Sequence, residues 1–390
     1  MRNSSFIALV TIVFSLYGLI NYYLLKRGWQ AFRGTNKLQL AYLIIFGLLS
    51  LAYPLSRILP SKFVGPARPY FLICGAFYLG FMFYLFLFVL AGDIIRFLAR
   101  LIPFRNNPLR IWLSPASSTY KLSFGIFLAL TTLVVILGYL NSIFPRIRTL
   151  EITVDKELPF SKPLRIVVIT DLHLGSIVRL SRLERIVELI NGLEPDLIFL
   201  VGDIIDEAVS SSQVKMTSSS FLRLKAKLGL IAVPGNHETY NRREKCLEEI
   251  TGGSIRVLAD EKIVVGKGLT IVGRRDRAIE SMGVKRKQIQ EILGDKESQG
   301  LLFLLDHQPI NLEEAERAGV DLQVSGHTHA GQLFPLNLIN RRLYEQYWGY
   351  HRRGQTHYYV SCGVGTWGPP LQTAARPEIV LLILKNSKNK

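Results

Sequence analysis

Histidine is absent from the first 170 residues of this 390-residue chain, and acid is nearly so. Residues 1–150 hold fifteen Lys and Arg but a single carboxylate, Asp93. A histidine-built metal site is therefore excluded from that half. With Asp93 expected at a helix end, no intramembrane carboxylate or histidine is left to run a proton pump or ion channel there. Cysteine is scarce: Cys74, Cys246 and Cys362 form neither a CxxC pair nor a disulfide framework and read as ordinary thiols. Residues 151–390 lack a charge bias, with 32 basic and 29 acidic side chains, so most of the net +17 belongs to the first 150 residues. The near-neutral second half disfavours a nucleic-acid surface there. Positive charge concentrated in an apolar half suits a membrane protein with basic loops.

What fills the first half is long uncharged runs: Phe6–Leu25, Leu38–Tyr53, Tyr70–Ala91 and Leu122–Ile143. About 20 helical residues cross the roughly 30 Å hydrocarbon layer. The first run has only Arg2 before it and no small-x-small site after it, so a retained helix is expected rather than a cleaved signal peptide. The second is the shortest, with Pro54 and Arg57 close behind. Arg100–Tyr120, with three prolines and a Ser-rich run, reads as a loop or interfacial segment. The expected organisation is a transmembrane anchor of about four helices over 1–145, a linker over 146–163 and a catalytic domain over 164–385. Loops on one side of such an anchor hold nine basic residues and those on the other seven, a lean toward an extracytoplasmic catalytic domain of an integral protein in a bacterial inner membrane.

From Leu164 onward, apolar runs alternate with amphipathic ones. Strands are expected at Leu164–Thr170, Leu197–Val201, Leu230–Val233, Leu269–Val272, Leu301–Leu305, Leu322–Val324, Tyr358–Ser361 and Ile379–Leu384. Leu180–Asn191 puts Leu183, Ile186, Val187 and Ile190 on one helical face. Phe221–Leu228 and Glu244–Ile250 are further helix candidates, and the Ser-rich 210–220 stretch reads as a loop. The class is α/β with mixed sheets.

The chain has seven histidines, and five of them sit just after these strands. The groups are Asp171-Leu172-His173, Gly202-Asp203, Gly235-Asn236-His237-Glu238, Asp306-His307 and Gly326-His327-Thr328-His329. Functional groups of α/β folds gather where strands run out at their carboxyl ends. Two Asp, one Asn and four His (Asp171, Asp203, Asn236, His173, His307, His327 and His329) exceed what one metal needs. Oxygen and imidazole donors without thiolate suit Mn, Fe, Zn or Mg. Two ions sharing a carboxylate would clamp a phosphate and supply a nucleophile.

These five motifs, in this order, resemble the calcineurin-like metallophosphoesterase superfamily. Ser325–Gln332 and Gly363-Val364-Gly365-Thr366 further resemble its membrane-associated YkuE/YaeI-like bacterial branch. The resemblance covers residues 164–384 and implies a two-sheet αββα sandwich behind the transmembrane helical bundle. It implies Asp171, His173 and His329 on one divalent ion, Asn236, His307 and His327 on a second, and Asp203 between them. His237 would contact phosphate oxygens or protonate the leaving group. The implied mechanism is in-line attack by a metal-bound hydroxide. Cys362 departs from the branch, where a basic residue is expected.

Three readings stand at this point. The leading one is a membrane-anchored dinuclear phosphoesterase acting on a phosphorylated small molecule or a lipid-linked substrate. The alternatives are a UDP-diacylglucosamine-type pyrophosphatase, which needs a cytoplasmic site, and a non-enzymatic membrane scaffold retaining the metal fold. Asp206 and Glu238 could orient the ligands. His351 and His357 lie outside the motifs. Leu333–Gln355, with Arg341, Arg342, Tyr344 and Trp348, reads as a basic, aromatic rim or a solvated loop.

Overall fold

A computed structural model describes residues 2–59, 65–101, 118–158, 160, 162–206, 211–241, 246–266, 268–294 and 300–386. The Arg100–Tyr120 reading falls mostly outside them. The chain divides into two compact units, Met1–Tyr139 with Gly368–Pro370, and Leu140–Trp367 with Leu371–Lys390.

The first unit is helical. Asn36–Ile58, Arg68–Ala99 and Tyr120–Ile143 are each long and apolar enough to cross a membrane. The first expected span lies in a helix over Arg2–Ala31, part of whose side chains fall outside the described residues. The Asn36–Ile58 helix continues through Pro54, past the expected end. Proline has no N–H for the carbonyl four residues back. Here that carbonyl, on Ser50, accepts from the Tyr17 hydroxyl instead. Asp93, expected at a helix end, instead lies within the helix Arg68–Leu101, where it pairs with Arg27 at 2.7 Å, with Arg96 and with the Tyr23 hydroxyl. Outward-facing Leu48, Leu133 and Leu137 are exposed, as lipid contact requires.

The second unit is a four-layer sandwich. One sheet has the order β1-β12-β2-β3-β4-β5, the other β10-β11-β9-β8-β7-β6. The strands of the first sheet are β1 (Arg146–Val154), β2 (Leu164–Ile169), β3 (Leu197–Val201), β4 (Leu230–Val233), β5 (Arg256–Val257) and β12 (Glu378–Asn386). Those of the second are β6 (Glu261–Val265), β7 (Leu269–Gly273), β8 (Leu301–Leu305), β9 (Leu322–Ser325), β10 (Gly349–Arg353) and β11 (Thr356–Val360). β12 runs antiparallel to β2 and parallel to β1, while β2, β3 and β4 are mutually parallel, as are β7, β8 and β9.

Successive strand residues face opposite sides. Ile166, Val168, Phe199 and Val201 thus meet Ile271, Phe303 and Val324 between the sheets. Val167, Ile169, Ile198 and Leu200 pack outward on Leu183, Ile186, Val187 and Ile190 of the Leu180–Asn191 helix. On the far face of the second sheet, Ile289 and Leu312 cover Leu302 and Leu304.

Several expectations are corrected here. The first part of the expected 146–163 linker is a strand, because Arg146–Val154 alternates outward and inward residues and β12 supplies a parallel partner. Ser211–Phe221 is a helix rather than a loop. Ser219 and Ser220 hydroxyls donate back to Met216 O, and Phe221 is buried in the outer core. The chain leaves that helix at Phe221, so Phe221–Leu228 is not helical. Within the expected rim, Leu336–Leu343 is helical and Gly349–Arg353 is a strand.

Candidate metal centre

Each motif follows a strand. Asp171 and His173 follow β2, Asp203 follows β3, and Asn236 and His237 open a short helix after β4. His307 follows β8; His327 and His329 follow β9. Two sheets therefore deliver donors to one edge of the sandwich. The loops are tied to each other by their backbones: Asp171 N donates to Gly202 O, His173 N to Asp203 O and Gly326 N to His307 O.

Asp171, His173, Asp203, His327 and His329 all have φ between 48° and 70°. Non-glycine residues rarely adopt this left-handed conformation, and it persists only where the surroundings impose it. The glycines beside them serve close approach. A Cβ on Gly202 would strike the His307 ring, and one on Gly326 the Asp171 carboxylate.

Asp171, His173 and His329 form one group of potential ligands, and Asp203, His307 and His327 a second. In the first, the Nε2 atoms of His173 and His329 are 3.1 Å apart and Asp171 Oδ1 is 3.6 Å from His329 Nε2. In the second, His327 Nδ1 is 2.8 Å from Asn236 Oδ1. Asp203 Oδ2 stands between, 3.3 Å from His307 Nε2 and 3.8 Å from His173 Nε2. All seven expected ligands thus converge. His237 joins them, its ring 4.8 Å from that of His173 and its Nδ1 2.8 Å from Asp206 Oδ1.

Whether the donors fit a cation can be read from His307. Its Nδ1 lies 2.8 Å from Val201 O, a contact in which the ring must donate. Its buried Nε2 makes no hydrogen bond of good geometry and faces the Asp203 carboxylate. With Nδ1 donating, Nε2 and the carboxylate 3.3 Å away must share a positive charge, a proton or a cation that displaces it, and a backbone carbonyl on the far nitrogen is the usual support of a metal-bound imidazole. The residues fit divalent ions.

The electrostatics separate the histidines. Burial draws His173 and His327 down to about 4 and lowers His329 as well, leaving neutral imidazoles. Burial also opposes charge on His307, but Asp203, with Asp171 and Asp276, outweighs it and lifts the imidazole well above its usual range. Burial alone would raise Asp203; His307, His173 and His237 hold it far below the usual carboxylate range. His237 is raised despite burial, by the Asp206 hydrogen bond and the charge of Asp203. Glu238 is fully buried and accepts from the amides of Asp203 (3.0 Å), Ile205 (2.9 Å) and Gly235 (2.8 Å). It thereby clamps the β3 loop to the β4 loop. Burial, then the nearby Asp203, pushes it up to about 7.

Asp306, beside His307 in sequence, points elsewhere, to Arg274 and Arg286. His357 is buried against the Tyr350 hydroxyl and His351 lies at the surface of β10, both away from the cluster. Cys362 is wholly buried, its thiol 3.1 Å from Arg376 O, so that position offers no substrate contact whatever its charge. Sequence reasoning missed two groups. Asp276 is buried beyond β7, takes Gln308 Nε2 at 2.8 Å, and is raised to about 6 by burial, with His307 opposing. A carboxylate three residues past a strand was the available signal. Trp367, its ring 6.0 Å from His237, lies in no motif.

Residues 164–331 match the family described as calcineurin-like phosphoesterase. A Helicobacter pylori protein named as a metallophosphoesterase is 33% identical over 271 residues, 67% of this chain and 70% of that protein. The chain belongs to the calcineurin-like metallophosphoesterase family. A Campylobacter jejuni metallophosphoesterase is 28% identical across 97% of this chain and 98% of its own length, helical half included. A Danio rerio protein named as a transmembrane protein with metallophosphoesterase domain is 30% identical across 67% of this chain and 62% of its length. The chain spans about two thirds of the length of the Helicobacter and Danio relatives. This metallophosphoesterase thus joins a family of phosphoester hydrolases, with a helical unit able to cross a membrane.

Proposed function

We propose that the protein is a membrane-anchored phosphoesterase that uses two divalent ions to hydrolyse phosphoester or pyrophosphate bonds. The observation that carries this reading is Asp203 Oδ2, which faces a histidine of each ligand group. Asp171, His173 and His329 would hold one ion, Asn236, His307 and His327 the other, with Asp203 shared. Ions bound there supply positive charge for phosphoryl oxygens and make water acidic enough to attack near neutral pH. The chain's own residues do the rest. His237, whose Nδ1 lies 2.8 Å from Asp206 Oδ1 and whose proton affinity that carboxylate raises, would give its Nε2 proton to the departing oxygen. Glu238 fixes the spacing of the two loops. Residues 1–145 serve as the anchor and 164–385 as the catalytic domain, in a bacterial inner membrane. The anchor supports a substrate with a lipid part.

The test is full-length protein in detergent with Mn²⁺, assayed on a phosphomonoester, a phosphodiester, a pyrophosphate and a phosphorylated lipid, beside Asp203→Ala. Hydrolysis of at least one, lost in the variant together with bound metal, is expected. No hydrolysis of any of them overturns the reading.

A further inference from the structure

The helix Leu336–Leu343 has no buried residue. Leu338 and Ile339 are each 54% exposed and Leu343 71%. Arg341 and Arg342 lie among them, exposed and without an ion pair among the described residues. A helix this apolar on its outer face is out of place in water. It is nevertheless firmly held from within. Asn340 Nδ2 donates to Thr328 O at 2.9 Å, and the next residue after the helix, Tyr344, brings its ring 6.5 Å from that of His327.

Trp367, 54% exposed, is fixed to the same turn from another side. Gln332 Nε2 donates to its carbonyl at 2.8 Å and its amide donates to Gln332 Oε1 at 3.0 Å. Its ring faces His237. Exposed apolar groups are therefore anchored to the turn that supplies His327 and His329, with Trp367 against His237.

Leucine and isoleucine with interleaved arginines and a nearby tryptophan is the composition of a surface that sits at the lipid–water boundary. The apolar groups enter the acyl region, arginines reach anionic headgroups, and tryptophan favours the boundary itself. A bilayer is available to the protein, because three helices among the described residues are able to cross one. We infer that Leu336–Leu343 and Trp367 form a docking surface that seats the mouth of the metal centre on an anionic bilayer, where it takes phosphoesters whose apolar part stays in the lipid. The substrate clause rests on the proposed hydrolase activity; the docking clause does not.

The test uses the full chain in proteoliposomes of phosphatidylcholine and phosphatidylglycerol, with brominated phosphatidylcholine as a depth-dependent quencher. Subtracting the emission of Trp367→Phe isolates Trp367. Quenching of Trp367 is expected in the parent, with loss of most of it in Leu338→Asp/Ile339→Asp/Leu343→Asp. With Mn²⁺, that triple variant should hydrolyse soluble p-nitrophenyl phosphate within about twofold of the parent but vesicle-borne phosphatidic acid about tenfold more slowly. Equal quenching in parent and triple variant overturns the docking surface, as does an unquenched Trp367, the result expected if a second copy or another protein covers this face. Quenching without hydrolysis of either substrate by the parent would leave docking intact and sink the hydrolase reading instead.

Discussion

The two halves of the chain treat buried carboxylates in opposite ways. In the helical half the one acid, Asp93, is answered by two guanidinium groups and a phenol. In the sandwich, Asp171 and Asp203 are more deeply buried and have no Lys or Arg partner among the described residues; imidazoles and amides surround them. A permanent cation makes a carboxylate part of the scaffold. Neighbours that can surrender a proton leave it to receive a cation from outside. Asp306 shows that the rule concerns partners rather than location. It lies in the sandwich beside His307, yet Arg274 and Arg286 have already neutralised it.

This contrast can be broken by exchanging what each acid meets. Asp203→Ala should have the largest effect, a loss of about a thousandfold in turnover of any phosphoester the parent cleaves, with metal content measured on the same sample falling in step. A variant that keeps both metal and rate would remove Asp203 from the centre. Glu238→Gln keeps the shape but adds a donor among three amides, so metal affinity should weaken between about 10- and 100-fold in titrations with Mn²⁺. Asp206→Asn leaves the ligands untouched while removing the carboxylate that raises the proton affinity of His237. Turnover should fall about tenfold at unchanged metal stoichiometry. Asp93→Asn, in the other half, should leave turnover of a soluble ester alone and lower bundle stability by about 2 kcal/mol, seen as a lower melting temperature in detergent. A matching loss of turnover there would show that the helical unit does more than anchor.

Much of the centre was legible because its residues are chemically conspicuous and lie directly behind apolar runs. Leu164–Thr170 before Asp171 and Leu301–Leu305 before His307 read as strands, and strands occupy Leu164–Ile169 and Leu301–Leu305. What hid were elements whose character depends on distant partners. Arg146–Val154 alternates correctly but is rich in charge and flanked by proline, and only β12 makes it a strand. Ser211–Phe221 is compositionally a loop, and the burial of Phe221 together with serine back-bonding makes it a helix. Asp276 and Trp367 escaped because neither sits in a motif; proximity across the fold brings them to His307 and His237. The inert role of Cys362 was equally invisible until its burial was known.

The first sheet has a consequence for biosynthesis. β12, residues 378–386, inserts between β1 and β2, made more than two hundred residues earlier. A ribosome that has emitted everything through Pro377 has delivered all seven candidate metal ligands yet left two long strands with bare, facing edges. The helices can enter a membrane during that interval, whereas the sandwich must wait for its closing piece. Translation stalled or stopped before Glu378 would release a tethered, sticky half-sheet instead of a slightly shortened protein.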